Sequence, residues 1–185
     1  MDTPNDPKHQ RRPGRSIPVT PADMADRVAH FERLAPDPGA FPDLKDPAHA
    51  RTVWYLLSPG GLAGSPSPIR APHGFHLAVM RMPRGVRPST HAHPYNEVFM
   101  PLDGRLRFHY GDDAAHSVDV GRYGVISVPA GVMRTFENLD EHDAHVLVIF
   151  DTPGDPHTDM LIAPRDYDRF YKDGWVPGVE PGPRS

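Results

Sequence analysis

The chain has 185 residues, 38% of them hydrophobic, and a net charge of −4 at pH 7. This length allows one domain with a proper core, and the weakly acidic balance gives no electrostatic case for binding nucleic acid. No apolar run approaches the roughly 18 residues of a membrane span, and the first twenty residues lack the apolar core of a signal peptide, so we expect a cytoplasmic protein. The absence of cysteine leaves nitrogen and oxygen as metal ligands, while 24 prolines and 16 glycines favour turns and short strands over long helices.

The first 69 residues are predicted to form an arm and then a small set of elements packed on a larger domain. Residues 1–19 are polar, basic and rich in proline, which is typical of a disordered arm. Residues 20–69 are expected to contribute a helix, a strand and a loop. The helix begins at Thr20, a hydroxyl N-cap followed by proline, and an apolar stripe predicts that it continues to Pro36 (Met24, Val28, Phe31 and Leu34).

The strand and the loop of this region are indicated by their residue types. Thr52–Leu57 is β-branched, aromatic and aliphatic, which favours a strand. Ser58 to Pro68 is rich in glycine, serine and proline, which favours a loop. The loop is either a lid over a binding site or a plain connector.

Residues 70–150 contain a series of short strands. Apolar and polar residues alternate within them and turn-forming residues separate them, which is typical of an antiparallel sandwich or barrel. In the run from Arg105 to Tyr110, the alternation places Leu106, Phe108 and Tyr110 inside and His109 outside. Further strands are predicted at Phe75–Met82, from Glu97 onward, and at Ser117–Val120, Val125–Val128, Arg134–Glu137 and His145–Phe150.

The pattern changes after Phe150. Residues 151–185 are predicted to form a loop, a short helix from Pro164 to Tyr171 ended by Gly174, and a tail.

Three potential metal ligands lie close together in the middle of the chain. His91 and His93 are two residues apart, a spacing that puts both imidazoles on one face of a strand. A tight turn would fold Glu97, at the start of the next strand, back beside them. Two nitrogens and one carboxylate oxygen on adjacent strands make a three-cornered site that suits non-haem Fe(II) and also accommodates Mn, Co, Ni or Zn.

The spacing around these ligands is also a family signature. Gly85, His91-Ala92-His93, Glu97 and Gly104 stand at the intervals of the first cupin motif. A second segment, from Gly124 through Pro129 and Gly131 to Asn138, resembles the second cupin motif, with a glycine-to-proline interval one residue short. This segment carries Arg134 where the family usually has its fourth ligand, a histidine.

The resemblance implies an all-β fold. The expected architecture is a cupin-type double-stranded β-helix, or jelly-roll barrel, over residues 70–150, with a short N-terminal helix and a short C-terminal helix. It also implies a metal at His91, His93 and Glu97, and a homodimer formed through barrel faces.

The departure at Arg134 leaves three interpretations open. The guanidinium, which cannot bind a metal, holds an anionic group of the substrate. Alternatively, Arg134 pairs with Glu97 and weakens or abolishes metal affinity. In the third interpretation Arg134 faces solvent, and His142 or His145 acts as the fourth ligand.

Aromatic residues beside the motifs are candidates for the wall of a substrate pocket. By strand alternation, Phe99 follows Glu97 inward and Phe136 follows Arg134 inward. Tyr95 flanks the ligands, and the Tyr110 hydroxyl could also reach the cavity. Such a pocket would have the usual build of a small-molecule site, with simple barrel core as the alternative.

The residues and the resemblance together favour a metal-dependent cupin enzyme that acts on a small anionic oxygenated metabolite. With Fe(II), a dioxygenase-type oxidoreductase is implied. With another metal, the same site supports Lewis-acid chemistry as an isomerase, cyclase, lyase or decarboxylase. A cupin that binds a small ligand without catalysis, and a metal-free cupin catalyst, remain as further alternatives.

Overall fold

The computed structural model describes residues 14–62 and 67–171. Most of the predicted arm, the tail with Gly174 and the middle of the Ser58–Pro68 loop lie outside the described residues, so the choice between lid and connector stays open. The described strands are β1 Thr52–Leu57, β2 His76–Met82, β3 His91–Ala92, β4 Glu97–Pro101, β5 Arg105–Tyr110, β6 His116–Gly121, β7 Ile126–Val128, β8 Arg134–Asn138, β9 Ala144–Phe150 and β10 Leu161–Ile162. Two short α-helices accompany them, α1 Pro21–Ala25 and α2 Pro164–Phe170, together with short 3-10 helices at Phe31–Arg33, Pro42–Lys45 and Asp112–Ala114.

The strands form two five-stranded sheets. The first has the order β1-β2-β9-β4-β7 and the second has the order β10-β3-β8-β5-β6. All neighbouring strands within the two sheets are antiparallel. This arrangement confirms the predicted all-β class with short helices near the two ends. No helix of the described residues is long and apolar enough to cross a membrane.

The hydrophobic core lies between the two sheets, and strand alternation explains its composition. Every second residue of β9 is buried, and Val146, Val148 and Phe150 are at most 1% exposed. Phe99 of the first sheet and Phe108 and Phe136 of the second form a cluster in this core, with ring centroids 5.1–5.2 Å apart. Aromatic rings at such spacings bury a large apolar area and add a favourable ring–ring contact.

The N-terminal helix is much shorter than predicted. Thr20 caps it as expected, in a capping box with Asp23, but the helix ends at Ala25. The continuation to Pro36 is wrong, because the apolar stripe is not buried: Met24, Val28 and Phe31 are 41–50% exposed. A helix of this length is not stable in water without tertiary packing.

Two further predictions about the strands need correction. Leu106 and Phe108 are fully buried as expected, but Tyr110 is 37% exposed, because it ends β5 at the rim of the sandwich. The second concerns Leu161–Ile162, which pairs with β3 as a two-residue strand where the sequence indicated only loop. Two residues are too few for strand alternation to be recognised in a sequence.

Candidate functional site

His91, His93 and Glu97 do converge, although they belong to opposite sheets. His91 begins β3 of the second sheet and Glu97 begins β4 of the first, so the expectation of adjacent strands is wrong. Residues 94–96 carry the chain from one sheet to the other. All three side chains are buried, with residue exposures of 3–6%. The imidazole centroids are 5.2 Å apart, and His93 Nε2 lies 3.9 Å from Glu97 Oε1.

Both imidazoles are held neutral. Burial is the main cause that lowers the pKa of His91 and of His93, and the positive charge of Arg134 lowers both further. His91 Nδ1 lies 2.6 Å from the carbonyl oxygen of Ser89. Because that oxygen can only accept, Nδ1 carries the hydrogen and Nε2 keeps its lone pair. His93 Nδ1 contacts the hydroxyl of Tyr95 at 2.9 Å, and its Nε2 has no hydrogen-bond partner among the described residues.

Arg134 lies inside the site rather than in solvent. It is 1% exposed and pairs with His91 across β3 and β8. Its Nη1 donates to the carbonyl oxygen of His91 at 2.9 Å, and its Nη2 donates to Glu97 Oε2. The structure therefore shows the ion pair between Arg134 and Glu97 that the second interpretation expected, and excludes the third, in which Arg134 faces solvent. Burial raises the pKa of the Glu97 carboxyl, and the guanidinium opposes that rise.

The donor atoms fit a divalent cation in their chemistry. The two imidazoles present neutral nitrogens, and Arg134 occupies Oε2 of Glu97 while Oε1 is the oxygen nearest His93. A guanidinium bound to the second oxygen of a ligating carboxylate is an ordinary outer contact of a metal site. Across residues 14–62 and 67–171, however, no three His, Asp or Glu side chains are positioned to hold a metal ion. Metal binding thus requires a side-chain adjustment that brings the three donors together.

The histidines considered as a fourth ligand lie elsewhere. His142 is exposed, and His145 is paired through Nδ1 with Asp103 at the surface, 2.9 Å away. Their assignment to the site is wrong, because His145 points away from the core on alternating strand β9.

The structure instead brings in His157, which sequence reasoning missed. Its Nε2 lies 2.8 Å from the Tyr55 hydroxyl and its ring packs edge-on against Phe41. Burial lowers its pKa to about 4, and a charge on His157 would lower the pKa of both His91 and His93. Inward alternation on β1 could have indicated Tyr55, whereas nothing in the 151–159 loop distinguishes His157 from a solvated histidine.

A cavity of about 260 Å³ opens beside the site. Its walls come from the edge strands β6 and β7 and from β5 and β8, and Arg134 and Tyr110 are among its lining residues. The other lining residues are mostly apolar: Phe108, Val118, Ile126, Ser127, Val128, Pro129 and Val132. The cavity is therefore a mostly apolar space with the buried Arg134 side chain in its wall.

The remaining aromatic candidates do not line this cavity. Phe99 and Phe136 face Phe108 in the core, so the core alternative describes their position and the pocket-wall placement is wrong. Their rings fill the space between the sheets instead. Tyr95 is half-buried and stacks on His93, with ring centroids 4.8 Å apart and an interplanar angle of 21°. Its hydroxyl contacts His93 Nδ1 and the carbonyl oxygen of Pro156.

Comparison with known proteins agrees with the fold. Residues 78–150 match the family model described as a cupin domain. The match and the two facing antiparallel sheets show that residues 78–150 form a cupin domain, which confirms the resemblance noted in the motifs. None of the curated proteins matches the sequence.

Several solved structures share the fold at low sequence identity. The polyketide cyclase RemF from Streptomyces resistomycificus is 16% identical with a TM-score of 0.56, over 78% of this chain and 94% of that one. Oxalate oxidase in complex with glycolate is 17% identical with a TM-score of 0.52, over 86% and 75%. Oxalate decarboxylase from Lactobacillus farciminis, a formate complex, is 14% identical with a TM-score of 0.53, over 76% and 36%. The chain spans 53% and 36% of the length of two of the proteins it matches, and these likenesses show the fold alone.

Proposed function

We propose that this chain is a metal-dependent cupin enzyme acting on a small anionic oxygenated metabolite. His91, His93 and Glu97 would hold the metal. The observation that carries the proposal is the buried pair of neutral imidazoles with Glu97 Oε1 only 3.9 Å from the unpartnered His93 Nε2. A buried nitrogen lone pair without a donor is costly, and a cation would satisfy it.

The charges of the site support an anionic substrate. Glu97 is the only acidic side chain in contact with Arg134 among the described residues, so the ion pair is already neutral without a metal. A divalent cation would add two positive charges in a buried place, which is unfavourable unless an anion enters with it. Arg134 lines the cavity, and its Nε has no partner among the described residues, so it has a donor left for a substrate oxygen.

The cavity supports a small and partly apolar substrate. At about 260 Å³ it lies just below the usual range for ligand pockets, so it suits a small molecule. Its apolar walls favour the body of the molecule, while Arg134 favours an acidic end. Tyr110 lies at the rim, where its hydroxyl can meet a polar group of the bound molecule.

For the reaction, we propose dioxygenase-type oxidation with Fe(II). An open site of two histidines and one carboxylate is typical of non-haem iron oxygenases, in which the metal supplies the activation of dioxygen. Zinc, manganese, nickel or cobalt in the same site would supply Lewis acidity instead, as in an isomerase, cyclase, lyase or decarboxylase. The cyclase, oxidase and decarboxylase among the structural neighbours are compatible with either class.

Oxygen uptake tests this proposal. Untagged protein is loaded separately with each of the five metals, and oxygen consumption is screened against small carboxylates and catechols. We expect uptake with Fe(II) and one of these compounds, lost in Glu97→Ala and retained in His142→Ala, whose histidine is exposed. Substrate turnover without oxygen use would favour the Lewis-acid class. No turnover of any compound with any metal would contradict the enzyme proposal.

The Arg134–Glu97 ion pair favours a second candidate, a cupin that binds a small anion without catalysis. The pair satisfies Glu97 through a side chain of the protein itself, and the same Arg134 lines the cavity. Calorimetric titration of small carboxylates into chelator-treated protein separates the two candidates. Binding that is unchanged by metal supports the second, and binding that requires metal supports the first.

The homodimer and the cytoplasmic location stay predictions. Sedimentation of the full chain measures the first, and fractionation of cells that express it measures the second.

A further inference from the structure

The hydroxyl of Tyr95 lies between two partners that restrict where its hydrogen can be. It is 2.9 Å from His93 Nδ1 and 2.5 Å from the carbonyl oxygen of Pro156. A phenol has one hydrogen, and a peptide carbonyl can only accept. If the hydrogen pointed at His93, two oxygens would face each other at hydrogen-bond distance with no hydrogen between them. The phenol therefore donates to Pro156, and its oxygen accepts from His93 Nδ1–H.

From this we infer that Tyr95 is a positioning residue that fixes the tautomer of His93. With the hydrogen on Nδ1, the Nε2 nitrogen enters the site as a lone pair. The inference assigns Tyr95 a different role from the substrate contact expected from the sequence. Its consequence for metal binding rests on the proposed function, whereas the tautomer itself does not.

The surroundings of Nε2 agree with this tautomer. Nε2 is buried without a partner, and the nearest carboxylate oxygen, Oε1 of Glu97, is 3.9 Å away. That separation is too long for a hydrogen bond. If Nε2 carried a hydrogen, we would expect Nε2 and Oε1 to lie within hydrogen-bond distance of each other. The distance suits two atoms that both offer lone pairs.

The two site histidines reach the same tautomer by different routes. His91 Nδ1 donates to the backbone of Ser89, a contact that no substitution removes. His93 depends on a side chain, and that side chain is in turn tied to Pro156 in the loop after β9. Tyr95 thus links the 151–159 loop to the site. Its contact with His93 can be removed by substituting the tyrosine side chain.

Nitrogen-15 NMR of metal-free, chelator-treated protein at neutral pH tests the inference directly, because the ring nitrogen shifts distinguish the two tautomers. In the wild-type protein we expect His93 with its hydrogen on Nδ1. In Tyr95→Phe, which keeps the stacked ring, we expect a mixture of tautomers, and in the control Tyr123→Phe, at an exposed tyrosine, we expect the wild-type result. Wild-type His93 with its hydrogen on Nε2 would overturn the inference, even if the variant does not fold.

Titration with Co²⁺ gives a second measurement. Loss of an outer-shell partner of a metal-bound histidine typically weakens metal binding by about 10–100-fold, so we expect a drop of that size in Tyr95→Phe and none in Tyr123→Phe. Equal affinities in Tyr95→Phe and the wild type would overturn the positioning role. If no form of the protein binds Co²⁺, the proposed function fails while the NMR result still decides the tautomer.

Discussion

Two arginine–carboxylate pairs of this chain share their chemistry and differ in their surroundings. Arg134 and Glu97 are 1% and 5% exposed in their side chains, whereas Arg107 and Asp119 are 41% and 35% exposed. Water screens the exposed pair, so removing one partner leaves the other well solvated. Removing Arg134 leaves a carboxylate buried without a partner. The same substitution should therefore have very different consequences at the two positions.

Arg134→Gln is expected to destabilise the metal-free protein by about 3–5 kcal/mol at neutral pH, the usual cost of breaking a buried ion pair. Arg107→Gln is the matched control and should change stability far less. Urea unfolding of both variants measures the difference. Equal losses of stability in the two variants would mean that Arg134 and Glu97 do not form the buried pair.

Arg134→Gln also distinguishes two expected effects of Arg134, one on metal affinity and one on the binding of an anionic substrate. Without the guanidinium, a divalent cation meets one positive charge less, so metal affinity should rise. An anionic substrate loses its partner, so KM should rise or kcat should fall. Metal titration and steady-state kinetics on Arg134→Gln give both results. Tighter metal binding with unchanged activity would show that Arg134 does not hold the substrate.

At the scale of the elements, the two turns that flank the metal motif both require a backbone with positive φ. They differ in the space that is available for a side chain. Gly85 and Gly104 both have a positive φ, +72° and +70°. A side chain at Gly85 would meet nothing within 4 Å. At Gly104, between β4 and β5, a Cβ would lie 2.8 Å from the Cβ of Ala144. Substitutions at the two glycines therefore distinguish the free-energy cost of an unfavourable backbone conformation from the cost of a steric clash.

Gly85→Ala should destabilise the protein by about 1–2 kcal/mol, the cost of a left-handed conformation for a residue with a Cβ. Gly104→Ala should cost more, because the backbone of β9 must also move. Thermal or urea unfolding of the two variants measures the difference. If Gly85→Ala is the more destabilising, the turn geometry described here is wrong.

Strands rich in β-branched, aromatic and aliphatic residues could be predicted from the sequence. The range of β1, Thr52–Leu57, agrees with its prediction, and β9 differs by one residue at its start. The helix from Thr20 could be predicted only at its N-cap, because its continuation depended on burying the apolar stripe, and the described residues leave that stripe exposed. Strand β10 forms only because β3 lies beside it, and no local pattern contains that information.

At the scale of the whole molecule, buried neutral histidines couple stability to pH. Burial is the main cause that lowers the pKa of four histidines: His76, His91, His93 and His157. In the unfolded chain these groups bind protons below about pH 6.5, whereas in the folded chain they stay neutral. The unfolded state then binds more protons, so stability is fully present above about pH 6.5 and falls as the pH is lowered.

Between about pH 6.5 and 5.5, each such histidine should remove up to about 1.4 kcal/mol from the free energy of unfolding. His76→Gln should reduce the slope by the share of one histidine. Urea unfolding at a series of pH values, with a chelator present, measures the slope. Stability that rises on acidification in this range would contradict the burial of these groups in neutral form.

The site was predictable in part for a physical reason. His91, His93 and Glu97 are close in sequence, so their spacing alone indicated that they meet. The ion pair between Arg134 and Glu97 joins residues 37 apart, and the contact of Tyr55 with His157 joins residues 102 apart. Such contacts depend on how the two sheets face each other and on the path of the loop after β9. The sequence could offer the ion pair only as one of three alternatives.

The metal content of untagged protein tests the central claim most directly. Protein is produced in separate cultures supplied with Fe, Mn, Co, Ni or Zn, and its metal is measured by elemental analysis. We predict about one divalent ion per chain in the wild type, its loss in His93→Ala and Glu97→Ala, and its retention in His145→Ala. A wild-type protein that carries no metal from any of these cultures would contradict the claim that His91, His93 and Glu97 form a metal site.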